Sequence, residues 1–239
     1  MKRQITLDTE TTGLRPEDGH RILEIGAVEM IDGVKTGKIF HHIIDPERDI
    51  PYEVVKIHGI DNAKVVGKPK FRDIMDEFLE FIKDSEVVIH NAKFDIGFLN
   101  NELDKMNKGK IWNHLKKITC SLELDKRLFS EERKHNLDAI CNRFEIDNSA
   151  RTFHGALLDS DLLADVFIEI NKRFPTADIE ADLEQTNWVR GPIKRYADTF
   201  EKISLTENEI NNNNKYLEEL AAKEKVTPVF SKSSNFKPT

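Results

Sequence analysis

Cysteine is almost missing from this chain: Cys120 and Cys141 are the only two among 239 residues, and their spacing is not that of a metal site. A disulfide scaffold and a cysteine zinc centre are thereby excluded, and buried free thiols in a reducing cytosol are the expectation. Long apolar runs are missing too. None approaches the roughly 20 residues that a membrane helix needs. The opening residues carry no apolar h-region of a signal peptide, so a soluble, cytoplasmic chain is expected. Excess positive charge is the third absence. With 36 Lys and Arg against 43 Asp and Glu, the formal net charge is -7. Binding nucleic acid by bulk electrostatics is then disfavoured. An enzyme that meets nucleic acid through cations held on its acids remains open.

What is present is organised around the first ten residues or so. Gln4-Ile5-Thr6-Leu7-Asp8-Thr9-Glu10-Thr11-Thr12-Gly13 reads as a β-strand closed by Gly13 and Pro16. Alternate residues of a strand share a face, so Asp8 and Glu10 project together. Two adjacent carboxylates on a half-buried strand repel one another and lose hydration, and a divalent cation between them relieves both costs. An exposed edge strand with two solvated acids is the alternative. The runs 22–30 and 38–44, separated by the turn signal Asp32-Gly33, extend the first strand into an antiparallel meander. A helical period covers 71–82, a short apolar strand 86–89, and further amphipathic helices cover 94–106, 121–129, 136–144 and 156–174. Strands followed by alternating strands and helices predict a mixed α/β domain ending near Phe174-Pro175.

Helix periodicity selects two more acids. Phe98, Leu99 and Met106 stand at i+3, i+4 and i+11 from Asp95, which places Asp95 on the inward face. A helix-terminal acid complementing the macrodipole is the competing role. Leu162, Leu163, Val166 and Ile170 do the same for Asp159, while Asp161, Asp165 and Glu169 form a charge row on another face. His154 is five residues before Asp159, roughly 140° apart on one helix. The two converge only if His154 stands on the loop ahead of the helix, which Thr152 and Gly155 permit. Four carboxylates are hard oxygen ligands suited to Mg²⁺ or Mn²⁺. With a neutral imidazole to accept a proton, they could support metal-dependent phosphodiester hydrolysis.

Leu7-Asp8-Thr9-Glu10-Thr11-Thr12-Gly13, Val88-Ile89-His90-Asn91-Ala92-Lys93-Phe94-Asp95 and His154-Gly155-Ala156-Leu157-Leu158-Asp159 resemble, in order, the three exonuclease motifs of the DEDDh nuclease superfamily. The similarity spans roughly residues 3 to 174, including Ile57-His58-Gly59-Ile60 and Glu145-Ile146-Asp147-Asn148-Ser149. The resemblance implies a ribonuclease-H-like α/β fold: a mixed sheet, antiparallel meander plus parallel strands, flanked by helices. It implies two divalent cations, Mg²⁺ or Mn²⁺, one on Asp8, Glu10 and Asp159 and the other on Asp8 and Asp95. His154 would be the general base. Glu53 and His58 would contact the terminal nucleotide, the backbone at Thr11 and Thr12 would line its pocket, and Asp8, Glu10 and Asp159 would face it. The substrate would be a single-stranded or frayed DNA 3′ end, and the product a 5′-mononucleotide.

Two domains are expected on this basis: an exonuclease domain over 1–175 and a mostly disordered linker and tail over 176–239. The tail is polar, with sparse apolar residues such as Trp188, Phe200 and Phe230. It is expected to bind the polymerase subunit of a replicative holoenzyme and act as a tether. Gln185-Thr186-Asn187-Trp188 loosely resembles a sliding-clamp motif, and a small accessory subunit is a further partner of such nucleases. A free-standing ribonuclease of the ribonuclease T or oligoribonuclease kind and a non-catalytic polymerase scaffold are the alternatives.

Overall fold

The computed structural model describes residues 1–151 and 153–174. The tail expected to bind a polymerase, and the domain boundary at 175/176, lie outside those residues. A five-stranded sheet forms the centre, with strands β1 (Arg3–Thr11), β2 (Ile22–Ile31), β3 (Val34–Ile43), β4 (Glu86–Ile89) and β5 (Lys117–Cys120) in the order β3-β2-β1-β4-β5. β1 and β2 pair antiparallel, β2 and β3 do so across the Asp32-Gly33 turn, and β1–β4 and β4–β5 pair parallel. β5 was not evident in the sequence because Lys117-Ile118-Thr119-Cys120 carries too short an apolar signal. Neither was the helix α1 (Tyr52–His58), whose only buried residue is His58.

Helices cover both faces of the sheet. On one face α2 (Phe71–Ile82) and α3 (Ala92–Lys105) pack Phe71, Phe78, Phe98 and Leu99 against Ile5, Leu7, Ile25 and Ile89. On the other, α5 (Leu137–Arg143) and α6 (Ala156–Arg173) pack Ile140, Leu163, Val166 and Ile170 against Val28, Met30 and Val88. The eight-residue α4 (Ser121–Leu128) adds Leu124 to this second cluster. Burial of these side chains stabilises the fold by about 25 cal/mol per Å² of apolar area removed from water.

The alternation of β1 divides its side chains between the two layers. Ile5 and Leu7 face α2 and α3, whereas the Thr6 hydroxyl donates to the Ser160 carbonyl of α6 at 2.8 Å. Asp8 and Glu10, in phase with Thr6, therefore face α6. The parallel pair β1–β4 ends side by side, with Leu7 opposite Ile89. Asn91 then takes a left-handed conformation (φ 59°), which Asn tolerates, and turns the chain into α3. Asp95 thus arrives in the first turn of a helix at the carboxyl ends of two strands. In α/β sheets that is the usual place for a site.

Candidate active site

Asp8, Glu10, Asp95 and Asp159 come together from three elements separated by up to 151 residues. Glu10, Asp95 and Asp159 are buried, and Asp8 is partly buried. Both helix-borne acids point inward, as their periodicity requires. His154 stands on the loop before α6, its backbone N–H donating to the Ile57 carbonyl at 3.1 Å, and its Nδ1 is 3.6 Å from Asp159 Oδ2. One ligand atom each from Glu10, His154 and Asp159 lies within 4.8 Å of the others. The carboxylate oxygens are the donors that suit a hard divalent cation, and the imidazole is a borderline ligand beside them.

The electrostatics describe a site with more acids than its one nearby cation, Arg151, can offset. Loss of hydration, then repulsion from Asp95, Glu10 and Asp159, raises Asp8 well above the usual carboxylate range. Burial, followed by Asp159 and Glu24, pushes Glu10 up to about 8. Burial pushes Asp95 up to about 7, against the lowering effect of Thr9, whose N–H and hydroxyl donate to Asp95 Oδ1 at 3.1 and 2.7 Å. A cluster that holds protons at neutral pH is a cluster that a dication would discharge. The oxygens present fit one.

Around the acids, Thr11 and Thr12 are buried; the Thr12 N–H donates to the Arg21 carbonyl and its hydroxyl meets His20 Nδ1 at 3.1 Å. His58 ends α1 before Gly59 (φ 72°) and is buried, with Nδ1 accepting from the Ile60 N–H at 3.0 Å. Its Nε2 is therefore the protonated nitrogen. It faces the Thr11 backbone and, among the described residues, meets no partner at full hydrogen-bond geometry. Glu53 differs: it is exposed in the first turn of α1, and among the described residues no contact ties it to the four acids. Cys141 is buried and Cys120 only partly so; both are free.

Three positioning features escaped the sequence reading. Glu24 on β2, opposite Glu10, accepts from the Ala156 N–H at 3.1 Å and from His41 Nε2 at 2.7 Å, so β2 caps the helix that carries Asp159. An acid in the apolar run Ile22-Leu23-Glu24-Ile25-Gly26 was the available signal. Beside it, a Cβ on Gly26 would meet the Ala156 carbonyl carbon at 2.3 Å, so only glycine lets α6 approach this closely. The third feature is Arg151. Its Nε and Nη2 donate to Asp159 Oδ1 and Oδ2 at 2.6 and 2.7 Å, Nη2 also to His154 Nδ1 at 2.9 Å, and Nη1 to Asp138 Oδ2 at 2.8 Å. Nothing local in the sequence marks it.

Comparison with known proteins agrees with this geometry. A family model described as "Exonuclease" matches residues 5–167. The chain belongs to this exonuclease family. Relatives named DNA polymerase III subunit epsilon include one from Rickettsia felis, 44% identical over 211 residues and covering 88% of this chain and 85% of the relative. The relative from Rickettsia conorii is 52% identical over 169 residues (70% of this chain, 73% of that one), and that from Salmonella typhimurium 47% over 173 (70% and 71%). The family of these epsilon subunits is therefore this chain's own. Among solved structures, Exonuclease X in complex with 5′ overhanging duplex DNA superposes with a TM-score of 0.54 at 25% identity, over 72% of this chain and 92% of that one. The nuclease domain of 3′hExo, a DEDDh family member bound to rAMP, reaches 0.62 at 16% identity over 72% and 93%, a likeness of fold. The ribonuclease-H-like mixed sheet is thus shared with DEDDh exonucleases, and with family membership come an exonuclease domain and the use of divalent metal.

Proposed function

We propose that this chain is a 3′–5′ exonuclease acting on DNA, the proofreading subunit of a bacterial DNA polymerase III. The observation that carries the reading is the convergence of Asp8, Glu10, Asp95 and Asp159 with His154 at the carboxyl ends of β1 and β4. Asp8, Glu10 and Asp159 would hold one Mg²⁺ or Mn²⁺, and Asp8 with Asp95 a second. Such a pair, when bound, supplies an activated water and stabilises the leaving oxygen of an in-line phosphoryl displacement. The protein's own residues do the rest. His154 takes the proton of the attacking water, at a ring nitrogen freed from other donors. The buried Nε2–H of His58, without a well-aligned partner among the described residues, is available to donate to the terminal nucleotide, and the Thr11–Thr12 backbone lines its pocket. Glu53, being exposed, would meet a nucleotide only from the solvent side.

A 3′ end reaches acids this buried only when its last base is unpaired, and a mismatch frays more readily than a matched pair. Residues 176–239 would tether the nuclease to the polymerase III alpha subunit, with the sliding clamp and a small accessory subunit as further partners, in the bacterial cytoplasm at the nucleoid-associated replisome. Effective concentration then replaces a basic surface.

The test is hydrolysis of a 3′-mismatched primer–template beside a matched one and a short RNA, with Mg²⁺, Mn²⁺ or EDTA. Metal-dependent release of 5′-mononucleotides, fastest from the mismatch, is expected. Faster cleavage of RNA would move the protein to an RNA-processing role, and no cleavage of either would leave a scaffold. Retention of the alpha subunit by the full chain and its loss on truncation at 175 would test the tether.

A further inference from the structure

The one cation within hydrogen-bonding reach of the four acids, among the described residues, is Arg151. Its side chain is 9% exposed, and its fork spans both oxygens of Asp159, a bidentate contact that guanidinium makes and ammonium does not. The same Nη2 reaches His154 Nδ1. An arginine only donates, so that contact requires a lone pair on Nδ1, and the neutral ring must then carry its proton on Nε2. His154 has no free lone pair in this arrangement and cannot accept a proton from water. The chemistry the site is built for and the contacts it displays are therefore incompatible, and Arg151 is the group that makes them so.

We propose that Arg151 is a built-in counter-ion that occupies the charge of the cation site until a divalent cation replaces it. A guanidinium on Asp159 and a dication on the same carboxylate repel strongly at so short a distance in a partly buried site. The side chain does not need a new partner when it yields, because Nη1 already lies 2.8 Å from Asp138 Oδ2, a carboxylate that is 45% exposed and outside the acid cluster. Withdrawal toward Asp138 frees the Asp159 oxygens and the His154 lone pair together, so metal loading and readiness of the base become one event. In the metal-free chain the same residue holds the loop bearing His154 against the start of α6 and neutralises one of four crowded acids.

This inference rests on the reading of the four acids as a divalent-cation site, and the experiment separates the two. Mn²⁺ binding to the full chain is measured by electron paramagnetic resonance and calorimetry, alongside thermal unfolding with and without Mn²⁺. If the wild-type chain binds no Mn²⁺, the cation site itself fails. Given wild-type binding, Arg151→Gln is expected to bind Mn²⁺ about tenfold more tightly, with Arg151→Lys in between, because a competing charge is gone. Metal-free Arg151→Gln is expected to melt several degrees below wild type, and Mn²⁺ is expected to narrow that gap. Equal or weaker Mn²⁺ binding by the variant, or a gap that Mn²⁺ leaves unchanged, overturns the proposal. Should Arg151→Gln not fold, Asp138→Asn decides: with its resting place weakened, Arg151 stays on Asp159 and Mn²⁺ binds several-fold more weakly. Unchanged or tighter binding by Asp138→Asn counts against it.

Discussion

Asp95 and Asp159 reach the site by the same device and meet opposite company. Each sits in the first turn of a helix, in phase with an apolar stripe, and each is almost fully buried. Asp95 is held by neutral donors, the N–H and hydroxyl of Thr9, and burial outweighs them, so its proton affinity is lifted to about 7. Asp159 is held by a cation, the fork of Arg151. Helix periodicity decides that an acid points inward. What it finds there decides whether that acid is held by neutral donors or by a counter-charge.

The largest effect removes either acid. Asp95→Asn and Asp159→Asn are each expected to lower hydrolysis of a 3′-mismatched primer by at least about 10³-fold, since each deletes a ligand of the reacting centre. An activity near wild type in one of them would strike that carboxylate from the site. Stability should split the pair. Asp159→Asn breaks a buried ion pair and leaves Arg151 only the partly exposed Asp138 as a carboxylate partner, which is expected to cost up to about 3 kcal/mol in the metal-free chain. Asp95→Asn removes a carboxylate that burial disfavours, so at pH 8 the metal-free variant should melt at or above wild type. Denaturant titrations at pH 8 in EDTA compare them, and equal losses in both would erase the difference between the two acids.

A smaller effect probes the neutral donors. Thr9→Val keeps the shape and deletes the hydroxyl donor, which should push Asp95 of the metal-free chain further up and weaken Mn²⁺ binding at pH 7, with recovery toward pH 9. A uniform loss at every pH would mean that Thr9 acts through packing alone.

The pH dependence of stability should be the gentlest change. Glu10 is raised from 4.5 to about 8 and Asp95 from 3.8 to about 7. A carboxylate with a raised folded pKa favours the native state most when protonated, so its contribution is present below the unfolded value and is lost as pH climbs through the folded one. The metal-free chain should therefore lose stability between about pH 4 and pH 8, and Glu10→Gln should flatten part of that slope. Mg²⁺ or Mn²⁺ should raise the melting temperature by an amount that grows over the same window, because binding displaces those protons. A metal-induced shift independent of pH would remove the raised acids from the cation site.

Much of this site could be read from the chain alone, for a physical reason that also sets the limit. The alternation of β1 puts Asp8 and Glu10 in phase, the spacings Asp95–Phe98–Leu99 and Asp159–Leu162–Leu163 turn two acids inward, and His154 has to leave the helix to meet Asp159. Each statement involves neighbours within a few turns, where backbone geometry converts sequence spacing directly into direction. Three ordered motifs then name the family. Glu53 marks the edge of such reasoning: its place in the resemblance is clear, but its side chain is exposed and tied to nothing at the site.

Only the folded chain could supply the contacts that tune the acids. Glu24 caps α6 across 132 residues, and Thr9 reaches Asp95 across 86. Gly26 is required by a helix more than a hundred residues downstream. Arg151 is only eight residues from Asp159, yet the loop between them has no regular period to aim it. Local spacing determines which way a side chain faces. The partner it meets there depends on how the layers pack, and in this protein that packing sets the charge state of the site.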